Sequence, residues 1–232
     1  MKRIDDKDKI EAFLSQHGLH AIFSKEAVTQ AALYHFTQGE MLCSRGEVIQ
    51  TMYFLVKGKV KIFTTSPEGK TLIVRFKTPL AVLGDIEYVK KTPVFNTVEA
   101  VSDGYMIGIP FNVLRKMGEN QVELLTFLVE TITQKFYTES QATSFNMLYP
   151  VEVRLASYLL SLSSDGEGSM FHEEMRTASL TEVADVIGTS YRHLNRVILK
   201  LCGEGMIRRE NGSLIITDLN RLRERADGNI YE

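Results

Sequence analysis

The spacing of apolar residues changes along the 232-residue chain and divides it into regions of different expected structure. Residues 8–35 are predicted to be helical, because Ile10, Phe13 and Leu14 fall on one face of a helix. From about residue 36, short β-branched and aromatic runs replace that pattern. After Pro110 the apolar positions return to helical spacing.

The middle region predicts short strands separated by turns that contain glycine. The expected strands are residues 52–56, 60–64, 71–76, 98–101 and 105–109. Regularly spaced strands of this kind are typical of an antiparallel barrel or roll. Pro67-Glu68-Gly69 is expected to form the hairpin tip between the second and third of these strands.

Residues 119–148 are predicted to form one long helix, about 45 Å in length at 1.5 Å per residue. Its apolar residues follow a heptad seam, and they are Val122, Leu125, Val129, Ile132 and Phe136. Such a seam needs a partner, which is either the preceding roll or the same helix of a second chain. We adopt the parallel dimer as the working interpretation. Pro150 is expected to end this helix, and another is predicted at Val151–Ser163.

Residues 179–201 carry a pattern typical of a helix-turn-helix motif. Ser179 and Glu182 form a capping box that predicts the start of a helix. Gly188 stands where a sharp turn needs a positive φ, and Thr189 or Ser190 is expected to cap the next helix. The apolar residues of both helices are Val183, Ala184, Ile187, Leu194, Val197, Ile198 and Leu201. An ordinary helical hairpin is the alternative interpretation.

The outward face of the second helix has the chemistry that binding to DNA requires. Residues near the start of a recognition helix reach base edges, and arginine can pair with guanine there. Five basic residues lie between 188 and 209 against one acidic residue, Glu204, although the whole chain has a net charge of -2. A hairpin turning at Asn211-Gly212 is predicted to form a wing that contacts phosphate. The candidate DNA contacts are Thr189, Ser190, Tyr191, Arg192, His193, Arg196, Lys200, Arg208, Arg209 and Ser213.

Together these features resemble the CRP/FNR family of transcription regulators over nearly the whole chain. The matching parts are the roll, Gly84-Asp85 in place of the family's Gly-Glu, the long helix and the winged helix-turn-helix. Residues 84–87, 154–160 and 190–194 are similar to those of the YeiL-type branch. The resemblance implies a homodimer along the long helix, a pseudo-palindromic site in double-stranded promoter DNA, and RNA polymerase as a partner. By position, it assigns base reading to Tyr191, Arg192 and Arg196.

Pattern and resemblance together predict an α+β fold. Its expected parts are an N-terminal antiparallel double-stranded β-helix (a jelly-roll or cupin-like β-roll), a long dimerisation helix and a C-terminal winged helix-turn-helix. The predicted domains are 1–115 for the cyclic-nucleotide-binding-like sensor roll with its N-terminal helix, 116–150 for the dimerisation helix and 151–232 for the DNA-binding domain.

The resemblance also implies an effector site in the roll, but the sequence departs from cyclic-AMP-binding members there. Those members carry an Arg-Ser or Arg-Thr pair shortly after Gly-Glu, and residues 93–97 contain no arginine. A buried phosphate without a cation would be strongly unfavourable. We therefore expect no cyclic AMP binding of the usual kind, an effector of unknown identity and no cofactor. The candidate pocket residues are Gly84, Asp85, Phe95, Asn96 and Thr97.

Other sensor chemistries and functions are weaker alternatives. Two cysteines, Cys43 and Cys202, are too few for a cluster held mainly by cysteine, although Cys43 could sense redox state and His35 could bind heme. A cupin-like metalloenzyme would need clustered histidines among the strands, so no metal and no enzymatic activity are expected. A ligand-binding module that acts on a protein partner would not need the wing or the basic segment.

The sequence also bears on location. The N-terminus lacks the apolar stretch of a secretory signal. No run approaches the roughly 18 apolar residues of a membrane span. A soluble, cytoplasmic protein is therefore expected.

Overall fold

The computed structural model describes residues 1–66, 71–118, 122–163, 179–210 and 213–227. These residues divide into two compact units, Met1–Lys135 and Phe136–Glu232. The fold is α+β, as predicted, with antiparallel sheets in the first unit and a helix-turn-helix in the second.

The first unit is built on two antiparallel sheets. Its strands are β1 (Lys2–Ile4), β2 (Ala32–Phe36), β3 (Met41–Cys43), β4 (Thr51–Lys57), β5 (Val60–Thr65), β6 (Thr71–Lys77), β7 (Ala81–Leu83), β8 (Thr97–Ala100) and β9 (Gly104–Pro110). One sheet has the order β1-β2-β9-β4-β7 and the other has the order β3-β8-β5-β6. The five strands predicted from the sequence are β4, β5, β6, β8 and β9, each placed to within one residue. The predicted tip at Pro67-Glu68-Gly69 lies outside the described residues.

The prediction of a helix over residues 8–35 is wrong at its C-terminal end. The helices are α1 (Lys7–Gln16) and α2 (Lys25–Gln30), and the backbone is already extended at Ala31. Residues 32–36 then form β2, which pairs with both β1 and β9. Hydrogen bonds to two neighbouring strands outweigh the helix propensity of the alanines here.

Among the described residues, two clusters of buried side chains hold the first unit together. One includes Phe36, Leu55 and Met106, which are fully buried. The other joins residues of β4 and β9 to α1, α2, α4 (Phe111–Gly118) and the start of α5 (Val122–Leu148). A short helix, α3 (Asp85–Lys90), follows β7 directly.

The second unit contains the end of α5 and a winged helix-turn-helix. Its further elements are α6 (Val151–Ser163), α7 (Leu180–Val186), α8 (Tyr191–Gly203), β10 (Ile207–Glu210), β11 (Ser213–Ile216) and α9 (Leu219–Arg225). The predicted helix break at Pro150 and the predicted bounds of α6 are confirmed. β10 and β11 pair antiparallel as the expected wing, whose tip at Asn211-Gly212 lies outside the described residues. Helix α9 was not predicted from the sequence.

Candidate nucleic-acid interface

The pair α7–α8 begins at the predicted capping box. The hydroxyl of Ser179 accepts a hydrogen bond from the backbone N–H of Glu182 at 3.2 Å, and the Glu182 carboxylate accepts one from the N–H of Ser179 at 2.9 Å. Val183, Ala184 and Ile187 are buried on the inner face of this helix, as predicted. The small side chain of Ala184 leaves room for the neighbouring helix to pack closely.

The turn between the two helices depends on Gly188. Its φ is +64°, a conformation that glycine adopts without steric cost. The N–H of Thr189 bonds back to the carbonyl of Ala184 at 2.8 Å, which satisfies a carbonyl at the helix end. Ser190, rather than Thr189, caps α8, because its hydroxyl accepts from the N–H of His193 at 3.2 Å.

One face of α8 is buried and the opposite face is exposed. The buried residues are Leu194, Val197, Ile198 and Leu201, as predicted. The exposed residues on the N-terminal half are Tyr191, Arg192, His193 and Arg196. Within the described residues, Arg192 and Arg196 have no hydrogen-bond or ion-pair partner. Their guanidinium groups are therefore available to a ligand.

The remaining candidate cations have partners within the unit. Lys200 Nζ lies 2.6 Å from Glu152 Oε1, and Arg208 lies 2.9 Å from Glu210. Arg209 is 3.4 Å from the side-chain oxygen of Asn195. Counting charges between 188 and 209 thus overstates the local positive charge, since Glu152 and Glu210 lie outside that window.

The wing places Arg208 and Arg209 on the exposed part of β10. Arg209 stands opposite Leu214, which is buried and anchors the hairpin. Ser213 begins β11, and its side chain lies outside the described part of the chain.

Sequence reasoning missed two residues of α6 that contact this motif. Arg154 is 8% exposed and donates to carbonyls at the α7–α8 turn. Hydrogen bonding to Lys200 lowers the pKa of Glu152, and Arg225 of α9 lowers it further. The available signal was the pair of charges at 152 and 154 in the otherwise largely apolar segment 151–160.

Most of the seam predicted on α5 is exposed in the part of the chain that the structure describes. Val122, Leu125, Val129 and Phe136 are more than half exposed, and Ile132 is half-buried. A different stripe of the same helix, Leu124 and Leu128, is buried in the core of the first unit. Among the described residues, one apolar stripe of this helix is thus buried in the first unit and a second apolar stripe is largely exposed.

The corner after β7 contains two of the five candidate effector residues. Gly84 precedes α3 with a φ of +89°, and Asp85 is 1% exposed. Lys135 of α5 places its ammonium 2.7 and 2.8 Å from the two carboxylate oxygens of Asp85, and 2.8 Å from the carbonyl of Val82. The buried carboxylate thus has its counter-ion from the same chain.

The other three candidate effector residues lie before and at the start of β8. The side chain of Phe95 is exposed, and its N–H donates to Glu87 Oε1 at 3.0 Å. Asn96 is half-buried, and the Thr97 hydroxyl accepts from the N–H of Arg45 at 3.1 Å. Arg45 thus contacts this segment through its backbone, whereas its guanidinium donates to the Thr64 hydroxyl and the Thr65 carbonyl of β5.

The structure does not support the alternative of a redox-sensing Cys43. The thiol is 3% exposed, and burial raises its pKa to about 12, with smaller contributions from Glu87 and Glu47. A thiol of this kind is protonated at neutral pH and reacts slowly. His35, the candidate heme ligand, packs against the ring of Tyr105 with 5.1 Å between centroids.

Among the described residues, no group of three or more His, Cys, Asp or Glu side chains is arranged to hold a metal ion. No helix in the same set is both long enough and apolar enough to cross a membrane.

Comparison with known proteins matches both units. Residues 33–121 match the cyclic nucleotide-binding domain family, and residues 153–225 match the Crp-like helix-turn-helix domain family. The regulatory protein YeiL of Escherichia coli O157:H7 is 23% identical over 209 residues, which are 90% of this chain and 92% of that protein. A CRP-like cAMP-activated global transcriptional regulator of Mycobacterium tuberculosis is 24% identical over 196 residues, covering 82% of this chain and 86% of that protein.

Solved structures agree on the fold. A CRP/FNR-family transcriptional regulator from Thermus thermophilus has a TM-score of 0.70 at 23% identity, covering 84% of this chain and 98% of its own. These relatives are transcription regulators and not enzymes. With a cyclic-nucleotide-binding-like roll and a Crp-like helix-turn-helix on one polypeptide, the chain belongs to the CRP/FNR family of transcription regulators.

Proposed function

We propose that this regulator is a homodimer that reads a pseudo-palindromic DNA site with α8. The observation that carries the proposal is the pair Arg192 and Arg196, exposed and without partners among the described residues. They lie on the N-terminal half of a helix whose opposite face is buried and whose entry is set by Gly188 and Ser190. Recognition helices present base-reading residues in this region.

The candidate contacts divide by the part of DNA that they would reach. Tyr191, Arg192 and Arg196 are assigned to base edges, where a bidentate arginine discriminates guanine by about 1–3 kcal/mol. Phosphate contacts are assigned to the helix entry, the end of α8 and the wing, through Thr189, Ser190, His193, Lys200, Arg208, Arg209 and Ser213. Phosphate contacts supply affinity and register without reading sequence.

The exposed seam of α5 supports the dimer. Burying apolar surface against a second copy is favourable by about 25 cal/mol per Å², and the seam residues repeat with heptad spacing. A two-fold dimer suits two inverted half-sites about one helical turn, or roughly 34 Å, apart. We include RNA polymerase among the partners of the DNA-bound dimer.

The effector proposed for the roll is a ligand other than cyclic AMP bound in the usual way. Residues 93–97 provide no arginine for a cyclic phosphate, and the buried Asp85 already pairs with Lys135. Arg75, a buried arginine of β6, lies opposite Ile62 of β5, and Ile62 also pairs with Val98 of β8. This arginine is therefore two strands from the end of the segment 93–97 and does not belong to it. Activation by cyclic AMP is a property of the relative that carries it in its name.

Selection of duplexes from a random-sequence library by the full chain tests the proposal. We expect enrichment of an inverted repeat, with affinity falling linearly on a log–log plot as salt rises, because phosphate contacts release counter-ions. The proposal fails if no sequence is enriched and the protein ignores duplex DNA at low ionic strength.

A further inference from the structure

The first turn of α6 contacts both ends of the candidate recognition helix. Arg154 reaches the turn that leads into α8, and Glu152 reaches Lys200 near the other end of α8. Neither residue is among the candidate DNA contacts, although Glu152 pairs with Lys200, which is one of them.

Arg154 anchors the N-terminal end of α8. Its guanidinium donates to the carbonyl of Ile187 and, at 3.3 Å, to the carbonyl of Gly188. Carbonyls at the end of a helix lack partners within that helix, so an outside donor stabilises them. The arginine is buried, which strengthens these charge-assisted hydrogen bonds and makes them costly to lose.

Gly188 is suited to this contact for a second reason besides its φ. A Cβ atom at this position would lie 3.3 Å from Arg154 Nη1, tighter than an ordinary van der Waals contact. The glycine therefore leaves room for the guanidinium while it directs two successive carbonyls toward α6.

Glu152 anchors the C-terminal end of α8. One carboxylate oxygen lies 2.6 Å from Lys200 Nζ and the other lies 2.8 Å from Arg225 of α9. Arg225 in turn lies 2.6 Å from Glu204, the residue that follows α8. The end of the helix is thus tied to α6 directly and through α9.

We infer that Glu152 and Arg154 are positioning residues for DNA reading, which together set the orientation of α8 on α6. The inference rests on the proposed function. Apolar packing is non-directional and tolerates small rotations, whereas hydrogen bonds to charged groups fix direction. A functional site needs its side chains held within about 0.5 Å and 10–20° of the productive geometry. Loss of Glu152 or Arg154 should therefore lower the preference for the selected DNA sequence more than it lowers the affinity for DNA of any sequence.

Full-length Arg154→Met and Glu152→Gln variants test the inference. Methionine keeps much of the side-chain length and removes the donors, and glutamine removes the charge. The probes are a duplex selected by the wild-type protein and a scrambled duplex of the same composition. We expect affinity for the selected duplex to fall about tenfold, the size of one mismatched base pair. Affinity for the scrambled duplex should stay within about twofold in Arg154→Met, because Arg192 and Arg196 remain, and should not fall in Glu152→Gln, because Lys200 is then released for phosphate.

Matched controls are Arg223→Met and Glu224→Gln, exposed residues of α9 outside every contact described above. Both controls should keep the wild-type ratio of affinities for the two duplexes. Arg154→Lys, which keeps the charge but not the two-pronged donor geometry, should recover part of the lost discrimination. A role in folding alone would lower both affinities in proportion to the unfolded fraction, and that result would overturn the inference, as would an unchanged ratio.

Amide hydrogen exchange tests the same inference without DNA. Arg154→Met should speed exchange at residues 189–192 relative to the wing, and Glu152→Gln should speed it at residues 198–203. If the exchange rates of both variants rose equally across the second unit, or did not change, the anchoring role would be contradicted. Failure of the wild-type protein to select any duplex is a separate result that would refute the proposed function instead.

Discussion

At the scale of single residues, side-chain partners separate the basic groups of the helix-turn-helix. Arg192 and Arg196 have none among the described residues, whereas Lys200 and Arg208 each face a carboxylate within 3 Å. A cation already held by an acid gives up part of that interaction when it turns to a phosphate. The base-reading role is therefore best tested at the two arginines without partners.

Arg196→Ala should lower affinity for the selected duplex by about 1–3 kcal/mol and relax sequence preference at one base pair of each half-site. The dimer should persist, because Arg196 is exposed on α8 and lies apart from the α5 seam in the sequence. Gel shifts and sedimentation measure the two properties. Arg223→Ala, an exposed arginine of α9, is the matched control and should leave both unchanged. An unaltered footprint for Arg196→Ala would remove this residue from the base-reading set.

Cys43 should resist alkylation in the native protein. Its thiol is buried with a pKa of about 12, so almost no thiolate is present at pH 8. Cys202, which is half-buried on α8, should label first, and both should label after unfolding. Mass spectrometry of peptides after brief iodoacetamide treatment gives the comparison. Equal labelling of the two cysteines in the folded state would contradict the assigned burial and revive a redox role.

At the scale of elements, α5 has two apolar stripes, which bear on whether its seam packs on the roll or on the same helix of a second chain. Packing on the roll uses Leu124 and Leu128, and the heptad seam is a separate stripe that stays exposed in one chain. The two interpretations therefore involve different faces of one helix and are compatible.

Leu125→Ala with Ile132→Ala should weaken dimerisation, because both side chains lie on the seam and lose apolar contact area. Truncation of a well-buried leucine or isoleucine to alanine costs about 2–5 kcal/mol. Sedimentation equilibrium over a range of concentrations measures the change in dissociation constant. Val48→Ala with Val89→Ala removes exposed apolar groups of the roll and should leave the constant unchanged. If the seam variant dimerised as tightly as the wild type, the seam would not be the dimer interface.

Structure could be predicted from the sequence where a short stretch of residues both favours one conformation and has the apolar spacing that fits it. The capping box at Ser179, the turn at Gly188 and the inward residues of α8 could all be identified because each follows from one short pattern. Prediction failed at Ala32–Phe36, where pairing with two distant strands decides the structure. Short strands such as β1 and β7 carry too few residues to show a period.

The contacts of Glu152 and Arg154 with the two ends of α8 could not be predicted from the sequence for a related reason. Arg154 lies 33 positions from Ile187, and Glu152 lies 48 positions from Lys200. Only the fold brings these residues together. A charged residue inside an apolar helix signals that some partner exists, but it does not identify the partner.

At the scale of the whole molecule, the roll carries the family's architecture with altered polar groups at Asp85 and in the segment 93–97. Cyclic AMP titrated into the protein should therefore give no binding heat at micromolar concentration. Isothermal calorimetry, with a cyclic-AMP-activated regulator as a positive control, measures this. Micromolar binding would show that a group such as Arg75 supplies the missing cation, and it would refute the effector proposal.

In the proposed complex, two copies of this chain read one duplex through α8. Sedimentation of the wild-type protein with the selected duplex, followed by hydroxyl-radical footprinting of the same complex, measures both the number of chains and the DNA that they protect. We predict two chains per duplex and two protected stretches whose centres lie about 10 base pairs apart on an inverted repeat. A complex of one chain with a single protected stretch, or no protection at low salt, would contradict the account.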